Sequence, residues 1–247
     1  MKKLLFILLI FTLSCNTEKS DTNDNKTGYV RLFGKVTDFN NNPVDSVVIK
    51  VKDKNFNDLY QTLSDKNGNY SLNVKKGVYY SIYAIKESDY GITKLEYWAW
   101  NVPLFKDLEI NPQYDRMEVY GIHAFEPKVN PYDTYRVYFR PMSLTKYQNV
   151  ENAEKSDTID IAPESLTEKD LTVKINNVKT KIVSIDKVTE FHTSGKYIFA
   201  YEIQVIKPKT GTLKKSEKIE GYDKITIEIN SQETKEKGKG ECFIKKS

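Results

Sequence analysis

Two cysteines, two histidines and three methionines are all that the 247 residues hold of these types. Each scarcity removes a class of protein. Two cysteines cannot build the disulfide framework on which small secreted scaffolds rest, so the fold must rest on packed cores. His123 and His192 are far apart in sequence, and no His/Cys/Glu spacing suits zinc. There is no Gly-x-Ser-x-Gly elbow and no Walker loop. No apolar run reaches the about 20 residues that a membrane-spanning helix needs. The charge is not of one sign, at 38 Lys+Arg against 34 Asp+Glu, and the basic residues after Lys207 are interleaved with acids. A nucleic-acid protein would show a concentrated basic face. A convincing helical period is missing as well.

What is present begins at the first residue. Met1-Lys2-Lys3 is a short basic start, and Leu4 to Leu13 is apolar except for Thr12. Ser14 then places a small residue directly before Cys15. An apolar stretch of this length, basic before and small after, reads as a secretory signal over 1–14. The order Leu13-Ser14-Cys15 resembles the bacterial lipoprotein signal, although that pattern favours Leu where Thr12 stands. The resemblance implies a lipidated Cys15 as the first mature residue and a membrane partner through that anchor. It also implies a place at the bacterial cell envelope, outer membrane or cell surface. Two or more acyl chains there would hold the chain durably. Residues 15–28 read as a tether, since Asn16 to Lys26 contains no apolar side chain and cannot bury enough surface to fold. Glu18, Asp21 and Asp24 in it serve either surface export or solvation. Removing Lys2 and Lys3 with the signal leaves the mature chain close to neutral.

The mature chain reads as all-β. It carries 17 Tyr and 11 Phe, and short alternating runs recur with turn residues between them. Examples are Val47–Val51, Tyr70–Val74, Tyr79–Ile85, Met117–Ile122, Tyr135–Phe139, Leu171–Ile175, Tyr197–Ile206 and Ile225–Ile229. Asn67-Gly68 between two such runs predicts a hairpin capped by Asp65. Tyr70 with Leu72, and Val47 with Ile49 and Val51, share faces and are core candidates. Cys242, alternating with Ile244, reads as a buried structural thiol.

Gly34-Lys35-Val36-Thr37-Asp38, Asn42-Pro43-Val44, Asp65-Lys66-Asn67-Gly68-Asn69-Tyr70 and Gly77-Val78-Tyr79 occur in that order. Together they resemble the carboxypeptidase regulatory-like domain over about residues 29–86. Asn41 stands where that family usually has Gly, and Ser46 replaces a Gly after the Pro. The resemblance implies a transthyretin-like (prealbumin-like) β-sandwich, an accessory fold without catalytic residues to transfer. A hydrolase family on the same fold ends in Tyr-Arg-Gly-Ser, whereas this chain ends Phe243-Ile244-Lys245-Lys246-Ser247. Residues 87–148 read as an extension, giving a first module over 29–148. Residues 149–165, polar and acidic with Pro163, read as a linker. Residues 166–247 read as a second, immunoglobulin-like β-sandwich, on architecture alone.

Chemistry is sparse. No metal site and no cofactor is expected, and no catalytic residue can be chosen among the carboxylates. Asp65–Asn69 lacks the distal bidentate Glu of a calcium loop. The possible ligand-binding residues are Trp98 and Trp100, two apart on one strand face, with Arg136, Tyr138 and Arg140 likewise on another. They form either a platform for a glycan or protein partner, or core and a solvated strand face. The expected function is therefore a non-catalytic binding or assembly module at the envelope. A structural subunit of an envelope complex, or a hydrolase with an unrecognised carboxylate site, remains the alternative.

Overall fold

The computed structural model describes residues 28–128, 132–150, 157–192, 195–209 and 219–246. The expected signal, Cys15 and nearly all of the tether lie outside the described residues. Among the described residues strand accounts for 58% and helix for 3%, so the all-β, sandwich expectation holds.

The strands are β1 (Tyr29–Lys35), β2 (Val48–Lys52), β3 (Asp58–Leu63), β4 (Asn69–Lys75), β5 (Gly77–Ile85), β6 (Tyr97–Leu104), β7 (Leu108–Glu109), β8 (Met117–Phe125) and β9 (Thr134–Ser143). A short helix, α1 (Leu144–Gln148), follows. Then come β10 (Thr158–Ile159), β11 (Leu171–Ile175), β12 (Val178–Lys179), β13 (Ile182–Phe191), β14 (Tyr197–Ile206), β15 (Tyr222–Asn230) and β16 (Lys237–Lys245).

They form three sheets. A three-stranded sheet runs β4-β1-β7, and an eight-stranded sheet runs β12-β11-β15-β16-β6-β5-β2-β3. The third sheet holds β8, β9, β14, β10 and β13, with β14 pairing β9 and β10 as well as β13. Two cores lie between them. The first gathers Leu32, Ile49, Tyr70, Ile82, Tyr97, Ala99 and Leu104, with Phe243 from the far end of the chain. The second gathers Trp98, Trp100, Val119, Val137, Phe139, Ile203, Ile227 and Cys242.

Successive residues of a strand point to opposite faces. Tyr97 and Ala99 of β6 therefore enter the first core while Trp98 and Trp100 enter the second. On β16, Phe243 and Cys242 divide in the same way. The eight-stranded sheet is thus a shared wall, with one core on each face and the two cores offset along it. This explains why seven of the eight residues of β6 are buried: a central strand covered on both sides has no solvent phase.

The seam between the units consequently differs from the expected one. The linker at 149–165 does not divide the cores, because β9, expected in the first module, pairs with β14 on one side and with β8 on the other, and the two strands close the second sandwich. Strand β16, expected in the second unit, pairs in parallel with β6, Cys242 opposite Trp100. Part of the linker is itself built in: the Ser143 amide donates to the Ile161 carbonyl, and the Tyr201 hydroxyl donates to that of Pro163.

One turn recurs three times. In Asp38–Asn42, Asp53–Asn57 and Asp65–Asn69, the Asp Oδ1 accepts two backbone amides, from the residues two and four further on. The fourth residue is left-handed in each, as Asn41 (φ 65), Phe56 (φ 63) and Gly68 (φ 78). Asp65 caps as expected, which also accounts for its loop without calcium. The expected hairpin is corrected, however. Its turn joins β3 of the eight-stranded sheet to β4 of the three-stranded one, so it arches between layers.

Close layers need glycine. A Cβ on Gly240 of β16 would stand 2.7 Å from the Val119 carbonyl oxygen and 2.7 Å from Ile122 Cδ1 on β8. Only a residue without one permits that approach.

Candidate carboxyl pocket

Trp98 and Trp100 lie at the centre of an aromatic cluster. Their rings stack at 5.1 Å, and Tyr120 meets both edge-on, at 5.5 and 5.0 Å. Tyr83 packs on Trp98 at 4.9 Å and Tyr80 on Trp100 at 5.5 Å, while Phe56 approaches both indoles from its strained turn. Both tryptophans are buried, at 5% and 4% exposure. An open stacking platform is therefore corrected to core: the strand phase that pairs them turns them into the second sandwich.

Arg136, Tyr138 and Arg140 do share one face of β9, and that face is occupied by the protein's own acids. Arg136 pairs with Glu202 at 3.1 Å and lies 3.8 Å from Asp186. Arg140 pairs with Glu190, to which the Tyr138 hydroxyl also donates. Register explains this, because β9 places Arg136 opposite Gln204 and Tyr138 opposite Glu202, with β13 one strand further on. Burial pushes the Glu190 carboxyl up, but Arg140 and Tyr138 outweigh it and hold the group below its ordinary value.

The polar end of the tryptophan pair leads to a site that residue patterns did not single out. The Trp98 indole N–H donates to Glu118 Oε1 at 2.7 Å, and the Glu96 side chain is also within reach of that indole. Both acids are buried, Glu118 at 3% and Glu96 at 8% exposure, and Glu96 Oε2 has no hydrogen-bond partner. They line a cavity of about 280 Å³ together with Tyr90, Tyr120 and Tyr147 and the aliphatic Leu95, Met142 and Ile161. Among the described residues no Lys, Arg or His lines it. Burial raises the Glu96 carboxyl to about 7. Burial first, and Glu96 second, raise Glu118 well above its ordinary value. Two carboxyls that cannot both ionise share protons as a pair.

A third buried glutamate shows the contrast. Glu241 is as buried as Glu118, yet Lys224 and Lys239 stand 3.6 Å from it, and Tyr97 and Thr226 donate to it at 2.8 and 3.2 Å. Burial pushes Glu241 up, but those lysines and hydroxyls hold it below its ordinary value. Glu241 is a compensated structural charge. The Glu96–Glu118 pair has the Trp98 indole N–H but, among the described residues, no ammonium or guanidinium group at ion-pair distance. Its one sequence signal was an acid placed inside an apolar frame, as in Leu95-Glu96-Tyr97-Trp98 and Met117-Glu118-Val119.

No family model matches the chain, and no curated protein matches it. Among solved structures it overlaps BcpA, the major pilin subunit of Bacillus cereus, at 9% identity and a TM-score of 0.28, covering 87% of this chain and 69% of that one. A DUF3823 family protein from Parabacteroides merdae overlaps at 9% identity and 0.25, covering 88% and 98%. The Corynebacterium diphtheriae major pilin SpaA overlaps at 8% identity and 0.25, covering 80% and 62%. At these scores the overlaps establish neither a shared fold nor a shared function, and the functional reading rests on the chain's own geometry.

Among the described residues no cluster of three or more His, Cys, Asp or Glu could hold a metal ion, and no helix is long and apolar enough to cross a membrane. Cys242 is buried and free, and burial pushes its thiol up, away from the reactive thiolate.

Proposed function

We propose that the protein is a lipid-anchored, non-catalytic binding module of a bacterial cell envelope. Cys15 carries the anchor, residues 15–28 the tether, and the β body the ligand site at Glu96 and Glu118. The first sandwich is, in this reading, the carboxypeptidase regulatory-like domain that its motifs resemble. The observation that carries the binding assignment is the buried carboxyl pair, with an unpartnered oxygen and no ion-pair partner among the described residues, at a small aromatic cavity. Burying such a pair without a partner is costly, and occupancy by a ligand supplies the compensation.

The geometry favours binding over glycoside hydrolysis. A hydrolase sets its two acids on opposite sides of the bond it cleaves. Here the Trp98 indole N–H donates to Glu118 and is within reach of Glu96, so one indole joins the two carboxyls.

Two measurements test the proposal. In cells expressing the full chain, the wild type partitions with the envelope fraction and Cys15→Ala is released from it; identical partitioning removes the anchor. Incubation of the purified chain with aryl glycosides from about pH 5 to about pH 8 leaves them intact. Turnover that Glu118→Gln abolishes would replace the binding reading with the hydrolase one.

A further inference from the structure

Resting on that pocket reading, we infer that the cavity bounded by Glu96, Glu118, Tyr90, Tyr120 and Tyr147 takes the ammonium group of a small organic cation. Three independent observations converge on it.

The first is charge. Two buried acids line the cavity and, among the described residues, no basic side chain does. The same fold gives Glu241, a strand glutamate buried to the same 3% exposure as Glu118, two lysine ammonium groups. At the Glu96–Glu118 pair the ammonium position is left to an outside group. The second is the unpartnered Glu96 Oε2, on a residue more than nine-tenths buried that lines the cavity. An acceptor without a donor, at a site reached from outside, calls for an N–H or a cationic methyl group. The third is the aromatic rim. Tyrosine faces attract organic cations through the ring quadrupole, and aromatic cages with an acid are the usual receptors for alkylated ammonium groups.

Size and chemistry narrow the class. At about 280 Å³ the cavity stands at the small end of ligand pockets, fitting a compact head group rather than a polymer. A hard divalent metal takes six to eight oxygen ligands, and this site offers two carboxyls, one of them already bonded to an indole. A neutral sugar would leave the pair dependent on its protons, whereas an ammonium replaces one of them. Binding is then linked to release of the Glu96 proton to solvent.

The neighbouring charges allow that release. Tyr83 of β5 and Tyr90 beyond it face the pair, as does Tyr120 of β8. Tyr147 of α1 faces Tyr90. Lys52 lies 5.4 Å over the Tyr83 ring, where Glu87 also acts, and its ammonium is committed to Asp58. Arg140 of β9 lies 5.9 Å from the Tyr120 ring and is committed to Glu190. These two cations are therefore held by other acids.

Calorimetric titration of the full chain with choline, ethanolamine and glucose, at about pH 6 and about pH 8, tests the inference. Choline or ethanolamine binds, about tenfold more tightly at the higher pH, because the binding-competent fraction follows Glu96 ionisation. Glucose does not bind. Glu96→Gln loses at least tenfold in affinity for the amine, and Tyr90→Leu, at a half-exposed position, loses severalfold, while thermal melting shows both variants folded. Glucose binding without amine binding overturns the cation class and leaves the pocket reading standing. Failure of every probe to bind the folded wild type overturns both. Amine binding that tightens toward low pH, or that Glu96→Gln leaves unchanged, overturns the ionised carboxyl as its partner.

Discussion

The substitution Glu96→Gln removes one ionisable oxygen from the buried pair and keeps its shape, and its effect on stability has a defined sign. Glu96 titrates at about 7 in the folded chain against an ordinary value of 4.5. Below the ordinary value the group is neutral whether the chain is folded or not, and it contributes nothing. Between the two values the unfolded chain releases a proton that the folded chain keeps, so stability falls as pH rises. Above about 7 the loss levels off. The gap between the ordinary value and the folded one gives a plateau of roughly 3 to 4 kcal/mol. Glu96 is only 8% exposed, so solvent screening takes little from this figure. Burial holds Glu118 well above its ordinary value too, and the part of that rise that comes from Glu96 disappears in the variant, so the comparison reads the pair rather than one residue. The amide's own burial penalty does not depend on pH and cancels. The assay is reversible urea or thermal melting of wild type and variant between about pH 5 and about pH 8. The wild type loses most of that plateau relative to the variant across the window, about 5–10 °C in Tm for a chain of this size. Parallel pH profiles for the two proteins would refute the reasoning, since they would mean that Glu96 titrates as an ordinary exposed carboxyl.

Three further outcomes come from the packing. Gly240→Ala costs about 2 kcal/mol in denaturant melts, because the new methyl meets the Val119 carbonyl and the layers must part; a neutral result would show that β8 and β16 do not approach so closely. Arg140→Ala costs only about 1 kcal/mol or less, since the Arg140–Glu190 pair is partly exposed and Glu190 keeps its Tyr138 bond. Residues 166–247 expressed alone give no cooperative melt by circular dichroism, because β14 loses β9 and β16 loses β6; a sharp transition would restore the linker at 149–165 as a domain boundary.

The strand inventory was legible where one face is wet. Leu171–Ile175 alternates cleanly and matches β11 to the residue. Strand β13 escaped notice because it is half-buried along its length, with a register shift between Ile182 and Ser184, and polar residues fall in both phases. The shared wall was illegible for another reason. The pairing of β6 with β16 joins residues well over a hundred positions apart, and no local pattern encodes a partner at that distance. Tyr97-Trp98-Ala99-Trp100 held a trace of it, in a strand with no polar phase. The Asp-x-Asn-x-Asn repeat at 38, 53 and 65 was present in plain spacing, and only the third copy, with Gly68, announces its turn. Of the candidate site, the aromatic pair was legible and the acids behind it were not. Glu96 and Glu118 are two among 34 acidic residues, and only their placement in a shared interior sets them apart.

The shared wall also decides how the body answers a pull. A load drawn through the segment before Tyr29 enters β1, whose seven residues are each paired across to β4. Drawn along the strand axis, such a load meets the rungs together in shear rather than opening them one by one. Beyond them, β6 and β16 tie both cores to one sheet, so the sandwiches cannot part like beads on a string. The body therefore yields to traction as a single mechanical unit.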